Sequence, residues 1–350
     1  MAQNRTLTSV RGVMVGNAED KARTTGVTAV VFPATARGAV EVRGGAPGTM
    51  HTDSLGPSTC FGVLGALFLS GGSLYGLDAA KGIRRGVLER GGGIQVFGSY
   101  DRLVGISGAI LFDLPRKSRL RADYGTLGYR AAKFASRAPV PSGNCGVGTG
   151  ATVGKFLGRD HAMKGGLGSA ARPIPGGGRV AALVAVNAVG NVVDPSTGQV
   201  VAGARRSEGG FAGSDDMFQS LRRASHPSPP RGTSLAILAT DLPLSRRDLF
   251  RVAQASHDGL ARAVVPSHGS TDGDTVFVVS TSPESPRGPW RGKGGEPYPG
   301  AMADLVGPHA SDAVVEATLD AVRSAKGWPG LPSVSDLQEA GKGRRGGRKR

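Results

Sequence analysis

Apolar residues in this chain fall into short runs punctuated by glycine and proline, not into long periodic stretches. Residues 180–189 are almost continuously apolar, the mark of a strand covered on both faces. Segments 26–32 and 39–43 predict two short strands, followed by a turn at Gly44-Gly45-Ala46-Pro47-Gly48. A mainly apolar segment begins after Pro57-Ser58 and stops at Gly71-Gly72. Ser73 is then placed to cap a helix running to about Arg90, where Gly91-Gly92-Gly93 ends it. Residues 103–112 predict a strand, 126–137 a helix, and Asp194-Pro195-Ser196-Thr197-Gly198 the turn of a hairpin. Residues 204–232 read as a polar, Pro-containing linker. Strand 234–240, helix 245–264, strand 275–281 and helix 311–325 complete the alternation.

The pattern is α/β, with helical layers covering one or two central sheets. Strand 234–240 is as apolar as the strands before the linker, so both halves are expected to share one core. The linker then reads as a processing site rather than a domain boundary. A length of 350 residues allows two domains or one large, loop-rich domain. With 57 glycines and only 5% aromatic residues, the core must be built from Ala, Val, Leu and Ile. Cys60 and Cys145 offer neither a disulfide framework nor zinc spacing and read as reduced packing thiols. The first ten residues lack a signal-type apolar stretch, and the longest apolar run, 60–69, is too short to span a bilayer. A cytoplasmic protein without a membrane partner is expected.

Net charge is +16, concentrated in part at the end: residues 341–350 hold six basic and no acidic side chains. Such a segment is expected to be a disordered tail. Its contact with nucleic acid would be non-specific and electrostatic, because no aromatic side chain interleaves it for stacking.

Candidate chemistry centres on Gly232-Thr233-Ser234, where a Ser/Pro-rich loop gives way to the apolar strand. A small residue before a hydroxyl residue suits a chain that cuts itself, leaving Thr233 as a new amino terminus. Threonine there carries a nucleophile and its own general base in one residue. The segment from Gly143 to Lys155 is not a phosphate loop: position 149 is Thr and position 156 is Phe, which breaks the required Gly-Lys-Ser/Thr spacing. It reads instead as glycine-lined backbone that delivers Lys155 to a reacting centre. Asn187, in the middle of an apolar run, must be hydrogen-bonded and could donate to a developing oxyanion. Asp272 and Asp274, flanking Gly273, either shape a turn or hold a cation such as Lys155 or a terminal ammonium. His257-Asp258 and His268 invite a Ser/His/Asp triad, but no Gly-x-Ser-x-Gly elbow accompanies them. Nothing in the sequence calls for a cofactor or a metal.

Taken in order, several blocks resemble the L-aminopeptidase/D-esterase (DmpA-type) family, which includes β-peptidyl aminopeptidases and nylon-oligomer hydrolases and shares its fold with ornithine acetyltransferase. They include Arg43-Gly44-Gly45-Ala46-Pro47-Gly48-Thr49, Ser70-Gly71-Gly72-Ser73-Leu74-Tyr75-Gly76 and Gly148-Thr149-Gly150-Ala151-Thr152-Val153-Gly154-Lys155. Lys164-Gly165-Gly166-Leu167-Gly168, Ala185-Val186-Asn187-Ala188-Val189-Gly190, His257-Asp258-Gly259-Leu260 and Asp272-Gly273-Asp274-Thr275 follow.

The resemblance implies a four-layer αββα sandwich of N-terminal-nucleophile type. It implies a precursor cut between Gly232 and Thr233, so that 1–232 forms an α-subunit and 233–340 the β-subunit of the same domain, followed by the 341–350 tail. It further implies a homo-oligomer of αβ units and hydrolysis of peptide or amide substrates through an acyl-enzyme on Thr233. Lys155, Asn187, Asp272 and Asp274 match the residues around the nucleophile, and Tyr129 matches a substrate-binding tyrosine. Endo-hydrolysis of nylon-type oligomers and acyl transfer of the ornithine acetyltransferase kind are the enzymatic alternatives. A non-catalytic binding protein on the same scaffold is the other. Two departures stand out: Gly232 replaces the Asn of the nylon branch, and Met50-His51 replaces a charged pair.

Overall fold

The computed structural model describes residues 3–60, 62–95, 98, 101–114, 121–223, 230–283, 290–291, 297–298 and 300–346. Its main sheet comprises β1 (Met14–Asp20), β2 (Thr25–Val42), β3 (Thr49–Met50), β4 (Val63–Ser70), β5 (Ile106–Ile110), β6 (Gly166–Pro173), β7 (Arg179–Asn187), β8 (Thr233–Thr240) and β9 (Thr275–Ser280). The strand order is β6-β7-β8-β9-β2-β4-β5-β3, with β1 beside β2. Pairs β8/β9 and β4/β5 are parallel.

The two short strands expected at 26–32 and 39–43 are one long strand, β2. Its register against β4 shifts between Val31 and Ala36. An irregularity of this kind bends a strand and increases its twist. The first part of β2 pairs with β1 and the last with β9, so one strand serves both halves of the sheet.

Alternation along the strands then sorts side chains into three cores. Ala182, Val184, Val186, Ala236 and Leu238 pack against Leu249, Val252, Val314 and Ala317 of helices α4 (Arg246–Ala263) and α5 (Ala301–Arg323). Leu183, Ala185, Leu235, Ile237 and Phe277 face Val30, Phe32, Leu64 and Leu67 across the middle of the molecule. On the far side Val27, Ala29, Ala66 and Phe68 meet Ile83, Val87, Leu127 and Ala131 of α1 (Ala79–Glu89) and α2 (Tyr124–Lys133). Helices, sheet, sheet and helices make the four layers αββα. Each fully buried Val, Leu, Ile or Phe contributes roughly 1.5–3 kcal/mol to this stack. The outer pair α1/α2 closes on glycine: a Cβ on Gly82 would lie 1.8 Å from the Gly125 carbonyl oxygen.

Several boundaries differ from those expected. Residues 73–78 form a 3-10 turn, Ser73 caps nothing, and α1 starts only at Ala79. The linker contains a helix, α3 (Ser214–Arg223), while its stretch 224–229 lies outside the described residues. Helix α4 is close to expectation because Ser245 and Asp248 form a reciprocal capping box, worth about 1 kcal/mol. Helix α5 starts at Ala301, not at 311. The internal Pro308 masks its first turns, since proline ordinarily breaks a helix. Helix α6 (Val334–Gly346) carries helical backbone into the basic tail, and residues 347–350 lie outside the described residues. Cys60 is exposed rather than packed; Cys145 is half-buried against the central core. Among the described residues, no helix is long and apolar enough to cross a membrane.

Candidate active site

Thr233 opens β8, one residue after the loop that ends at Gly232. It is buried and is the Cα register partner of Asn187 on β7. Its Oγ1 donates a hydrogen bond to the carbonyl oxygen of Gly232 and so lies against the carbonyl group of the preceding peptide. By strand alternation Thr233 shares its face with Leu235 and Ile237 of the central core. Ser234 shares the opposite face with Ala236 and Leu238, toward α4 and α5. The buried Ser234 hydroxyl has no hydrogen-bond partner among the described residues.

Asp272-Gly273-Asp274 leads into β9 and wraps the same point. The Gly273 N–H donates to the Gly232 carbonyl oxygen at 3.2 Å. Asp274 Oδ1 accepts the Ser234 N–H at 2.6 Å, and its Oδ2 accepts both the N–H and Nδ1–H of His268. Asp272 Oδ2 accepts the Gly269 N–H at 3.2 Å, while its buried Oδ1 meets no donor at full hydrogen-bond geometry among the described residues, the Val189 N–H lying near the carboxyl. Burial, then the neighbouring Asp274 charge, pushes the Asp272 carboxyl up to about 6, against the opposing pull of Lys155. The Gly-Gly-Ala turn braces this segment: Arg43 N–H bonds Asp274 O and Ala46 N–H bonds Asp272 O.

The glycine-rich segment delivers Lys155 as the sequence suggests. A 3-10 turn at Gly146–Gly150 is followed by Gly154, whose φ of +68° lets it pack on the Gly203 backbone. The Lys155 N–H then bonds Val189 O, and its Nζ donates to Asn187 O at 2.7 Å and Oδ1 at 2.9 Å. Burial pulls the Lys155 pKa down to about 7, with Asp272 and Asp113 opposing. The cationic Lys155 assumed from sequence is thus, at neutral pH, a group close to losing its proton. Beneath it, fully buried Lys164 donates to the carbonyls of Gly148, Ala151 and Gly165 and ties the loop in place. Burial draws Lys164 down to about 7 as well.

Asn187 is engaged at both ends of its amide. Its Oδ1 accepts from Lys155 and the Thr152 N–H, and its Nδ2 donates to Phe112 O at 3.2 Å. The adjacent Asp113, buried between the Gly72 N–H and Thr25 Oγ1, anchors that carbonyl's segment. In the continuous chain the donors on the Gly232 oxygen are the Thr233 Oγ1–H and the Gly273 N–H, while the Asn187 amide is turned to Phe112 O.

Thr233, Lys155, Asn187, Asp272 and Asp274 come together around one peptide bond. Tyr129 does not join them. It sits on α2 in the outer helical layer, its hydroxyl on Glu89 Oε2 at 2.8 Å and the Arg85 guanidinium 4.6 Å from its ring centre. It lines a groove between α1 and α2 with Tyr75, Lys81 and Arg121. The triad fails for a geometric reason. His257 and His268 do meet edge to face at 4.9 Å, but His257 Nε2 faces Glu41 O and His268 faces Asp274, so neither serves a hydroxyl. Two features escaped the sequence reading: the Gly273 N–H, and the contact of His268, weighed there only for a triad, with Asp274. The spacing of His268 six residues before Asp274 was the only signal for the second.

Comparison with known proteins is consistent across the chain. The sequence profile described as peptidase family S58 matches residues 5–332. A protein of Mycobacterium bovis named as an uncharacterized aminopeptidase is 36% identical over 321 residues, covering 89% of each chain. A 6-aminohexanoate-oligomer endohydrolase of Kocuria sp. is 30% identical over 317 residues, covering 89% of this chain and 84% of that one. In fold, the chain is similar to the L-aminopeptidase D-Ala-esterase/amidase of Ochrobactrum anthropi, described as a variant of the Ntn-hydrolase fold. That match has a TM-score of 0.65 at 21% identity, with 97% and 95% of the two chains covered. A Burkholderia sp. beta-aminopeptidase matches with the same TM-score and identity, over 97% and 94%.

Proposed function

The chain belongs to peptidase family S58 and is an amide hydrolase of the Ntn type, and from that premise we propose that it processes itself between Gly232 and Thr233. The mature enzyme then releases amino-terminal residues from peptides or amides through an acyl-enzyme on Thr233. One observation supports this reading above the others. The Thr233 hydroxyl lies against the Gly232 carbonyl group, while the same carbonyl oxygen is held by the Gly273 N–H. Nucleophile, electrophile and an oxyanion donor meet at a single peptide bond, the arrangement acyl transfer needs.

In the first step Thr233 Oγ bonds to the Gly232 carbonyl carbon and its proton passes to the departing Thr233 nitrogen. The C–N bond breaks, leaving an ester on Oγ and a free amine. Lys155, neutral in part near pH 7, is the group suited to relay that proton. Water then hydrolyses the ester, giving a carboxylate on Gly232 and restoring the hydroxyl. In the second stage the new amine, with an ordinary pKa of about 7.7–8.0, takes the Oγ proton as the oxygen attacks substrate. Asp272 and Asp274 hold this amine, and Asn187, through Lys155, fixes the charge balance around it.

The reading includes chains 1–232 and 233–350 that remain in one αββα unit, because β8 lies inside the sheet between β7 and β9. It also includes homo-oligomers of that αβ unit in the cytoplasm. Endo-hydrolysis of unbranched amide oligomers is a second reading, favoured by the absence of space for an L side chain on the acyl residue. A Cβ on Gly232 would lie 2.4 Å from both Asp272 Oδ1 and the Val189 nitrogen. Intact mass and amino-terminal sequencing of the purified protein test the cut, and aminoacyl p-nitroanilides assayed beside amide oligomers test the substrate. Material that stays whole, or that starts elsewhere, overturns the proposal.

A further inference from the structure

We propose that His268 is a positioning residue for Thr233, acting through Asp274; the inference rests on Thr233 being the nucleophile. Asp274 is buried to within 1% of full burial. A carboxylate so placed needs donors for both oxygens. Oδ1 has the Ser234 N–H at 2.6 Å, and Oδ2 has two donors from one residue, the His268 N–H at 2.9 Å and Nδ1–H at 2.8 Å. His268 thus supplies two of the three hydrogen bonds that orient Asp274. Nδ1 is the donor to Asp274, and Nε2 has no hydrogen-bond partner among the described residues.

The ring is itself held. His268 has a left-handed backbone, φ +57°, and its ring packs edge to face on His257, whose Nε2 is fixed on Glu41 O at 3.0 Å. The line His257, His268, Asp274, Ser234 N–H therefore ends one peptide unit from Thr233. Before scission Thr233 is also restrained by its covalent bond to Gly232. Afterwards that bond is gone, and the Ser234–Asp274 hydrogen bond with the ladder to Asn187 restrains the new terminus. The contribution of His268 is accordingly greater in the mature enzyme than in the precursor. A loss of order at the terminus lowers the turnover rate rather than substrate affinity.

The test uses two substitutions that both tolerate a left-handed backbone. His268→Asn keeps a side-chain N–H near the position of Nδ1, and His268→Gly removes it. Scission is read on denaturing gels, and kcat and KM are measured on the matured full-length protein with an aminoacyl p-nitroanilide, beside wild type. The expected result is that Gly lowers kcat by about tenfold or more with KM little changed. Scission still goes to completion, and Asn stays close to wild type. If Gly does not yield folded protein, His268→Gln, whose amide reaches the Nε2 position instead, takes its place. Equal kcat for wild type and the variant lacking the donor overturns the proposal, as does Asn falling as far as Gly. A wild-type chain that never matures at Thr233 sinks the underlying reading instead, so the two failures are distinguishable.

Discussion

Asn187 and Thr233 stand directly opposite each other as the last register pair of the β7/β8 ladder, and the Asn187 side chain and carbonyl together receive Lys155 Nζ. Thr233 and the Lys155 amine are thus tied to the same rung of the sheet. Replacing Asn187 by Ala removes one of two acceptors for a buried amine and frees the Thr152 N–H. Scission and hydrolysis should both fall, by roughly a hundredfold or more, the scale of losing one donor or its support at an acyl-transfer site. Gel densitometry over time and p-nitroaniline release measure the two rates; undiminished turnover would show that Asn187 only packs.

Thr233 and Ser234 differ by the face of the strand they occupy. Thr233→Ala should leave a single intact chain without activity. Ser234→Ala should cleave and turn over normally, because the removed hydroxyl has no hydrogen-bond partner among the described residues and the Ser234 N–H to Asp274 is retained. Intact mass spectrometry separates the outcomes, and a cut in Thr233→Ala would move the nucleophile elsewhere.

Gly232 is confined by fixed atoms. An added Cβ would meet the Val189 nitrogen and Asp272 Oδ1 at 2.4 Å and the Ala188 carbonyl carbon at 2.9 Å. Gly232→Ala should slow scission at least about tenfold and cost the precursor roughly 1–3 kcal/mol. Pulse–chase of the precursor band and its urea midpoint are the measurements. The same crowding predicts faster turnover of glycyl or β-alanyl than of L-alanyl anilides, compared as kcat/KM.

Stability should depend on pH through two buried lysines. Lys155 and Lys164 titrate near 7 when folded, against an ordinary value of about 10.4 in the unfolded chain. Between about 7 and 10 the unfolded chain therefore binds more protons, so stability rises with pH across that window and is lost as pH falls toward 7. Lys164→Met should lower stability at neutral pH, because three carbonyls lose their donor, and should flatten the rise. Urea midpoints at pH 7, 8 and 9 read both effects; an unchanged slope would place the titration elsewhere.

What could be read without coordinates depended on how local the signal was. The α/β class, the helix expected at 245–264 and the candidate hydroxyl at the loop-to-strand step follow from runs, caps and turn residues that lie within a few positions of one another, whereas the αββα layering came from the family resemblance. Helix α5 was half hidden, because the rule that proline ends a helix is local and the packing that overrides it at Pro308 is not. Tyr129 stands apart from the other candidate residues for a similar reason: a helix can be read from its own residues, but not the layer it joins.

The sequence by itself determined which chemistry is on hand: a threonine after glycine, a lysine at the end of a glycine-rich segment, two aspartates around a glycine and an asparagine in an apolar strand. Only the tertiary structure decided that β7, β8 and the approach to β9 bring these groups to one peptide bond. It also decided that Gly273 rather than Asn187 holds the carbonyl oxygen, and that His268 stands behind Asp274. The reason is physical. Residue type sets what a side chain can donate, accept or attack, whereas distance and burial, which decide whether it does, arise from strand pairings between segments far apart in the chain.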